Sequence, residues 1–391
     1  MSEKISPNAA TGAATVPHPA RTLDLAGHDA AEATLRRAWD SGRLPHAWLI
    51  TGPRGIGKAT LAYRFARFAL NGGASAFALN GGGSAEDGAE NAGGGGLFGD
   101  TPAPAPDLRI PPDAAVVHQI AAGSHPDMAV LAPGRPNPET GKTSQDIVVA
   151  QVRQAVKFCF MTPASAPWRV IVVDPVEAMN ANAANALLKV LEEPPRQALL
   201  LLVSHAPARL LPTIRSRCSQ LALAALPEAV VIEKLASFRP DLAAEDRTAL
   251  ARLAEGSVGT ALALAEAGGL ELYRELVDLL AAMPTPETAR LHALGDWLNQ
   301  GGEGSRFRLG GDLLGWWLAR LVRAGATGEM PPEVVAGEAA AMRRLLDRVA
   351  LEQWLELWDK TGRLFDQAET RHLDRKQVVL TLFLDIAARA A

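Results

Sequence analysis

The sequence predicts an α/β fold in which a parallel sheet with helices on both faces precedes an all-helical C-terminal region. Up to about residue 225, short and continuously apolar segments alternate with segments of helical periodicity. This alternation is typical of parallel strands that are buried under helices on both sides. Beyond Pro227 no strand-like segment follows, and glycines and prolines divide the remaining sequence into helices.

Several elements can be assigned in order along the first part. Asp29 and Glu32 form a capping-box pattern, which predicts the start of a helix. A later helix begins near Asn180 and ends at the two prolines 194–195, because proline cannot continue a helix. Short apolar runs predict strands at 47–50, 170–173 and 199–203.

Length and composition restrict the class of protein. The 391 residues are 48% hydrophobic and carry a net charge of −4, which excludes a histone-like positive coat but not a local basic patch. No apolar run reaches the roughly 20 residues of a membrane-spanning helix, and no signal peptide is recognisable. We therefore expect a soluble cytoplasmic protein. Cys159 and Cys218 are too few for a disulfide framework or a cysteine-based zinc site.

Two segments have the composition of flexible chain. Residues 1–20 are rich in Ala, Pro and Thr without periodicity, which predicts a disordered tail. The segment 72–106 holds 11 of the 35 glycines, contains no Lys or Arg, and ends in alternating prolines. It therefore predicts a flexible insert within the sheet-containing region.

The strongest chemical signal is the sequence GPRGIGK at 52–58, between the first predicted strand and an amphipathic helix. In a phosphate-binding loop, Gly52, Gly55 and Gly57 would let backbone N–H groups approach phosphate oxygens. Lys58 would reach the outer phosphates of a nucleotide. The flanking strand and helix are the context that such a loop requires.

The metal-binding and catalytic parts of this site are degenerate. Ala59 stands where a Ser or Thr hydroxyl would bind Mg²⁺, and Thr60 lies about 100° further around the helix. Asp174 follows the second predicted strand, as the Mg²⁺-binding aspartate of a Walker B element does. Pro175 then replaces the glutamate that activates water, and Glu177 lies two positions further. The pattern leaves binding of ATP and Mg²⁺ open and predicts no hydrolysis.

Three blocks of the sequence resemble the subunits of the bacterial DNA polymerase III clamp loader, which are AAA+ proteins. The blocks are 46–58, NAANALLKVLEEPP at 182–195, and LLPTIRSRC at 210–218. The turn at 256–257 is similar to the start of the lid-domain helix in these subunits. The resemblance covers 21–265. It implies an AAA+ P-loop core at 21–225, a small helical lid at 226–268 and a helical collar domain at 269–391.

Within that family, the departures from the consensus favour a non-motor subunit. Besides Ala59 and Pro175, Gly259 stands where the lid of a motor subunit carries a sensor arginine. The insert 72–106 occupies the position of a four-cysteine zinc module but contains no Cys, so no zinc is expected. The resemblance implies a subunit that supports ATP-dependent loading of a sliding clamp onto primed DNA without hydrolysing ATP. Its expected partners are the motor (γ/τ) and δ subunits of a hetero-pentameric ring and, through that complex, clamp and DNA.

By the same resemblance, Arg217 is an arginine finger that acts in trans on the ATPase site of a neighbouring motor subunit. An isolated arginine here would be interpreted as a solvated surface charge, but the surrounding 210–218 block favours the finger. Arg215 is a weaker candidate for the same role. Cys218 is expected to be a buried structural thiol, because no motif places a histidine base beside it.

Two alternatives remain open at the level of sequence. The chain could be an ATP-hydrolysing motor subunit (γ/τ-like) with a degraded consensus. It could also be a stand-alone P-loop switch protein. ATP turnover by the purified chain, alone and with motor and δ subunits, separates these hypotheses.

Overall fold

The computed structural model describes residues 17–73, 107–300, 305–371 and 373–391. The predicted tail and insert therefore lie outside the described residues, except for 17–20 and 72–73. The described chain forms two compact units. The first unit comprises the described residues of 17–230 together with Gly256–Thr260, and the second unit comprises the described residues of 231–255 and 261–391. The division of the region beyond 225 into a lid and a collar stays a prediction.

The first unit is built on a parallel sheet. Its strands are β1 (Ala47–Thr51), β2 (Met128–Leu131), β3 (Arg169–Val173), β4 (Ala198–Ser204) and β5 (Ser219–Ala222). They pair in the order β2-β3-β4-β1-β5, and every pairing is parallel. The three central strands are those that the sequence predicts. The two edge strands are four residues long each and lie outside the predicted set.

Helices cover both faces of this sheet. They are α1 (Asp29–Asp40), α2 (Lys58–Leu70), α3 (Ala115–Ala121), α4 (Val149–Cys159), α5 (Ala181–Glu192) and the single turn α6 (Pro212–Arg215). Successive residues of a strand point to opposite faces. Accordingly, Val170 packs in one hydrophobic cluster with Phe65 of α2, and Ile171 packs in the other with Leu187 of α5. The predicted parallel sheet with helices on both faces is confirmed.

The start of α1 differs from the sequence pattern. The helix is capped at His28 without a side-chain hydrogen bond, and Glu32 turns inward instead of toward the helix end. Its Oε1 accepts hydrogen bonds from Arg64 Nε at 2.8 Å and from the backbone N–H of Leu108 at 2.5 Å. The capping-box prediction is therefore wrong, because a buried arginine needs this carboxylate as its partner.

The described borders of the predicted tail and insert belong to the folded unit. Arg67, which is buried, donates hydrogen bonds to the carbonyl oxygens of Pro19 and Ala20 at 3.3 and 2.5 Å. The backbone N–H of Gly73 donates to the Phe68 carbonyl at 3.0 Å and helps to end α2. These hydrogen bonds hold residues 17–20 and 72–73 against α2.

From residue 228 onward, the described residues contain helices and no strand, as the sequence predicts. The helices are α7 (Glu228–Phe238), α8 (Ala244–Leu253), α9 (Val258–Glu266), α10 (Gly269–Ala281), α11 (Thr288–Asn299), α12 (Ser305–Thr327), α13 (Glu338–Arg348), α14 (Leu351–Arg371) and α15 (Arg375–Ala390). Trp317, Trp354 and Phe383 are fully buried in the second unit. In the ranges that the structure describes, no helix has the length and apolar character needed to cross a membrane.

Candidate functional site

The loop at 52–58 has the backbone conformation that a phosphate-binding loop needs. It connects β1 to α2, and Gly52, Gly55 and Gly57 have φ values of +139°, +75° and +109°. Residues with a side chain rarely adopt such values. A Cβ atom on Gly52 would also lie 2.3 Å from the carbonyl oxygen of Leu223. The three glycines singled out in the sequence are therefore required by the shape of the loop.

Lys58 opens α2 and is buried against this loop. Its Nζ donates hydrogen bonds to the carbonyl oxygens of Gly52, at 2.7 Å, and of Pro53. Burial lowers the pKa of Lys58 to about 8, although the charges of Asp174 and Glu177 oppose this shift. The ammonium group is thus held inside the loop, close to two carboxylates.

Asp174 lies directly after β3, where its backbone N–H donates to the Leu131 carbonyl at 2.9 Å. Burial raises the pKa of its carboxyl, and the charge of Lys58 opposes the rise. The structure therefore brings Lys58 and Asp174 together, as the sequence predicts. Ala59 adds no oxygen ligand, and Thr60 lies half-buried on the first turn of α2, about 100° around the helix from Ala59.

The position of a catalytic base is not filled. Pro175 has no carboxylate, and Glu177 holds the loop after β4 instead: its Oε1 accepts the backbone N–H groups of His205 at 2.7 Å and Ala206 at 3.2 Å. The Oε2 atom of Glu177 and Nδ1 of His205 are both buried and have no hydrogen-bond partner among the described residues. These two atoms could hold a water molecule or a polar group of a ligand.

The segment 256–260 packs directly on the loop at 52–58. The Ser257 hydroxyl donates to the Arg54 carbonyl at 2.8 Å, and the backbone N–H of Gly259 donates to the Gly55 carbonyl at 2.9 Å. A Cβ atom on Gly259 would lie only 2.9 Å from the Cα of Gly55. An arginine at this position, as the motor subunits carry by resemblance, would therefore require the two segments to move apart.

Arg217 lies after α6 and is about one third exposed. Its Nη2 is 2.8 Å from Oε1 of Glu192, and its Nη1 donates to the Thr213 carbonyl at 3.0 Å. Glu192 is itself half-exposed, and ion pairs at such positions contribute only about 0–1 kcal/mol. Another anion can therefore replace Glu192 at little cost. In the described residues, Arg217 has no contact with Lys58 or Asp174.

The neighbours of Arg217 support the turn. The Ser216 hydroxyl donates to the Thr213 carbonyl at 3.2 Å. Cys218 is buried in the hydrophobic cluster under α5, and burial raises the pKa of its thiol to about 12. The thiol is therefore protonated at neutral pH and has no activated thiolate for nucleophilic chemistry.

Three contacts of the site were missed at the level of sequence. Glu192 lies inside the 182–195 block, but its pairing with Arg217 depends on how α5 and α6 meet. The sequence indicates only a turn at Ser257, although its hydroxyl contacts the loop at 52–58. His28, whose Nε2 is 2.6 Å from the Ile56 carbonyl oxygen, has no signal in the sequence that separates it from any other histidine.

Comparisons with known proteins assign the chain to a family. A family profile described as "DNA polymerase III, delta subunit" matches residues 110–227. The DNA polymerase III subunit delta' of Pseudomonas aeruginosa is 36% identical over 263 residues, which cover 64% of this chain and 69% of that protein. The subunit delta' of Escherichia coli is 35% identical over 162 residues, covering 41% and 46%.

A relative with a different subunit name is less similar in sequence. The DNA polymerase III subunit gamma/tau of Mycobacterium bovis is 29% identical over 211 residues, which cover 54% of this chain and 29% of that protein. The chain therefore belongs to the δ′ (delta-prime) family of DNA polymerase III clamp-loader subunits.

Proposed function

We propose that this chain is a non-motor subunit of a DNA polymerase III clamp loader. It supports ATP-dependent loading of the sliding clamp onto primed DNA and supplies Arg217 to the ATPase site of a neighbouring motor subunit. Its partners are motor (γ/τ) and δ subunits in a hetero-pentameric ring, which contacts clamp and DNA.

One observation carries this proposal: the chain's own phosphate loop is braced by packing and its site lacks a catalytic base, whereas Arg217 is accessible. Gly259 and Ser257 hydrogen-bond to carbonyl oxygens of the loop, and Pro175 takes the place of the catalytic base. Arg217, in contrast, is held by a half-exposed ion pair. A planar and always charged guanidinium is suited to the oxygens of a transferring phosphoryl group. The chain is thus better equipped to assist hydrolysis by a neighbour than to carry it out.

Nucleotide binding without hydrolysis is part of the proposal. The backbone N–H groups of the loop at 52–58 and Lys58 would hold the phosphates of ATP. Asp174 would hold Mg²⁺ through water, and the metal would supply charge neutralisation only. The missing hydroxyl at Ala59 weakens the metal site. Glu177 is engaged by backbone N–H groups, so among the described residues around the loop none is placed to activate water.

ATP turnover tests the proposal directly. The purified chain alone is expected to turn over ATP far more slowly than about 1 s⁻¹, the lower range of working enzymes. Adding it to motor and δ subunits should complete a loader with clamp-dependent ATPase activity. Turnover of about 1 s⁻¹ or more by the isolated chain would support the motor alternative. Failure to join motor and δ subunits would support a stand-alone switch.

A further inference from the structure

A groove of about 870 Å³ follows the outer edge of the sheet in the first unit. All four residues of β2 line it. Ile120 of α3, which packs on one face of the sheet, forms one side, and Ala155 of α4, which packs on the other face, forms the opposite side. The groove is therefore centred on the edge of β2 and not on either face of the sheet.

The backbone of β2 presents unpaired hydrogen-bonding groups to this groove. β2 pairs only with β3 in the described sheet. The carbonyl oxygens of Asp127 and Leu131 accept hydrogen bonds from the β3 side. Because alternate residues of a strand direct their backbone groups to opposite sides, the N–H and C=O of Val130 face outward. An exposed strand edge of this kind can pair with another extended chain.

The charged side chains that line the groove are all positive. Arg21 and Arg135 line it, and no Asp or Glu does. Within the described ranges neither guanidinium forms an ion pair with a carboxylate. Both guanidinium groups are near enough to His18 that their charges, after burial, lower the pKa of its imidazole. The two arginines thus face one space in which the described residues place no neutralising carboxylate.

We propose that this groove binds an extended acidic peptide segment of a partner protein. The segment adds to β2 as a further strand, hydrogen-bonds to Val130, and pairs its carboxylates with Arg21 and Arg135. Main-chain hydrogen bonds provide affinity in this mode of recognition, and side-chain pockets and charges provide selectivity. The proposal is independent of the function proposed above, since it uses none of the residues of the nucleotide site or of Arg217.

An acidic peptide fits these features better than a nucleic acid does. The sugar–phosphate backbone of a nucleic acid has no regular alternation of N–H donors and carbonyl acceptors to match Val130. The floor of the groove also offers the half-buried side chains of Met128 and Val130, which suit alternate apolar residues of a strand. Single-stranded DNA is therefore the competing occupant that an experiment has to distinguish.

Fluorescence anisotropy with the full chain tests the proposal. The probe is a labelled octapeptide of alternating Asp and Val, and we expect saturable binding in the micromolar range. The R21Q/R135Q double variant should bind about tenfold more weakly or worse. Val130→Pro should also weaken binding about tenfold or more, because it removes the outward N–H. It leaves the hydrogen bonds to β3 intact, and edge strands tolerate such a proline. Arg196→Gln, which removes an exposed arginine outside the groove, and Val130→Thr, which keeps the N–H, should bind like the wild type.

Two further probes keep the result decisive if Val130→Pro does not fold. The same octapeptide with alternate backbone nitrogens methylated should lose binding to the wild-type chain, because its charges remain but its strand hydrogen bonds do not. An octapeptide of alternating Lys and Val should not bind. The proposal is overturned if the acidic peptide does not bind at about 1 mM, or if methylation leaves its affinity unchanged. It is equally overturned if only single-stranded DNA binds with dependence on Arg21 and Arg135.

Discussion

The loop at 52–58 and the turn that carries Arg217 differ in how firmly the first unit holds them. Around the loop, Lys58 is buried, three glycines have positive φ, and Gly259 and Ser257 close on its carbonyl oxygens. Arg217 is partly exposed and is restrained by one half-exposed carboxylate and one carbonyl. A loop that only holds phosphates can be fixed in place by packing. A residue that acts on an adjacent subunit must stay at the surface and be able to leave its ion-pair partner for another anion.

The largest effect that follows from this difference is expected for Arg217→Ala in the assembled loader. ATP turnover at the adjacent motor site should fall by about 10³-fold or more, the range reported for arginine fingers. Arg217→Lys should restore little, because an ammonium lacks the planar donor fork. Clamp loading should fall more than total hydrolysis, since the other motor sites keep their own fingers. Single-site ATPase and clamp-loading assays measure both.

A structural role of Arg217 predicts that Arg217→Ala lowers the melting temperature and prevents assembly. We instead expect the melting temperature and the assembly into the complex to stay close to those of the wild type, because the ion pair with Glu192 contributes little. Arg196→Ala, which removes an exposed arginine outside the 210–218 block, is the control and should leave turnover unchanged. Wild-type clamp loading by a fully assembled Arg217→Ala complex would show that the 210–218 block is only a scaffold.

The packing on the phosphate loop is tested by Gly259→Ala. The new Cβ would meet the Cα of Gly55 at 2.9 Å, so the free energy of unfolding should fall by about 1–3 kcal/mol, as for other overpacked sites. Urea denaturation measures the change. Gly362→Ala is the control, because a Cβ there meets nothing within 4 Å. Gly362→Ala, within α14, should stabilise the chain by up to about 1 kcal/mol. Equal effects of Gly259→Ala and Gly362→Ala would contradict the tight contact between Gly259 and Gly55.

The buried charge of Lys58 predicts a dependence of stability on pH. Burial lowers the pKa of Lys58 from 10.5 to about 8, so between these pH values the unfolded chain binds the proton that the folded chain has lost. Stability therefore rises with pH in that window and is lowest below pH 8. Relative to Lys58→Met, the wild type should gain free energy of unfolding from pH 8 to pH 10. A parallel pH dependence of the two proteins would mean that Lys58 is solvated.

The smallest effect is expected for Glu192→Gln. The substitution removes the charge that pairs with Arg217, and the free energy of unfolding should change by less than about 1 kcal/mol. In the assembled loader, ATP turnover at the adjacent site should stay the same or rise slightly, because Arg217 is released more readily. Thermal denaturation and the single-site ATPase assay check the two parts. A large loss of turnover would show that Glu192 positions Arg217 for catalysis and is not only its exchangeable ion-pair partner.

Much of the fold and part of the site follow from local sequence. The continuous apolar runs of β1, β3 and β4 indicate strands buried on both faces, because only such strands need no polar residue. The glycines at 52, 55 and 57, Lys58, and Asp174 were identified by their spacing from these strands. Cys218 could also be expected to be buried, since no histidine motif accompanies it. Each of these conclusions depends on residues that are close together in the chain.

Other features are decided only by the tertiary structure. The short edge strands β2 and β5 exist because β3 and β1 offer them hydrogen-bond partners, and their own residues carry a weak strand pattern. Glu32 departs from the predicted capping box because buried Arg64, 32 positions away, needs a carboxylate.

The same reason applies at the site. Gly259 can be recognised in the sequence as a missing arginine, but only the approach of 256–260 to the loop at 52–58 shows that nothing larger fits there. Arg217 can be recognised by its motif, but its exchangeable pairing with Glu192 depends on where α5 and α6 meet. Local sequence is enough to predict the buried strands, the phosphate loop and the departures from its consensus, since burial and loop conformation are encoded by neighbouring residues. Which segments pack on the loop, which charges pair and which strand edge stays unpaired depend on residues brought together from distant parts of the chain, so these features emerge only in the folded structure.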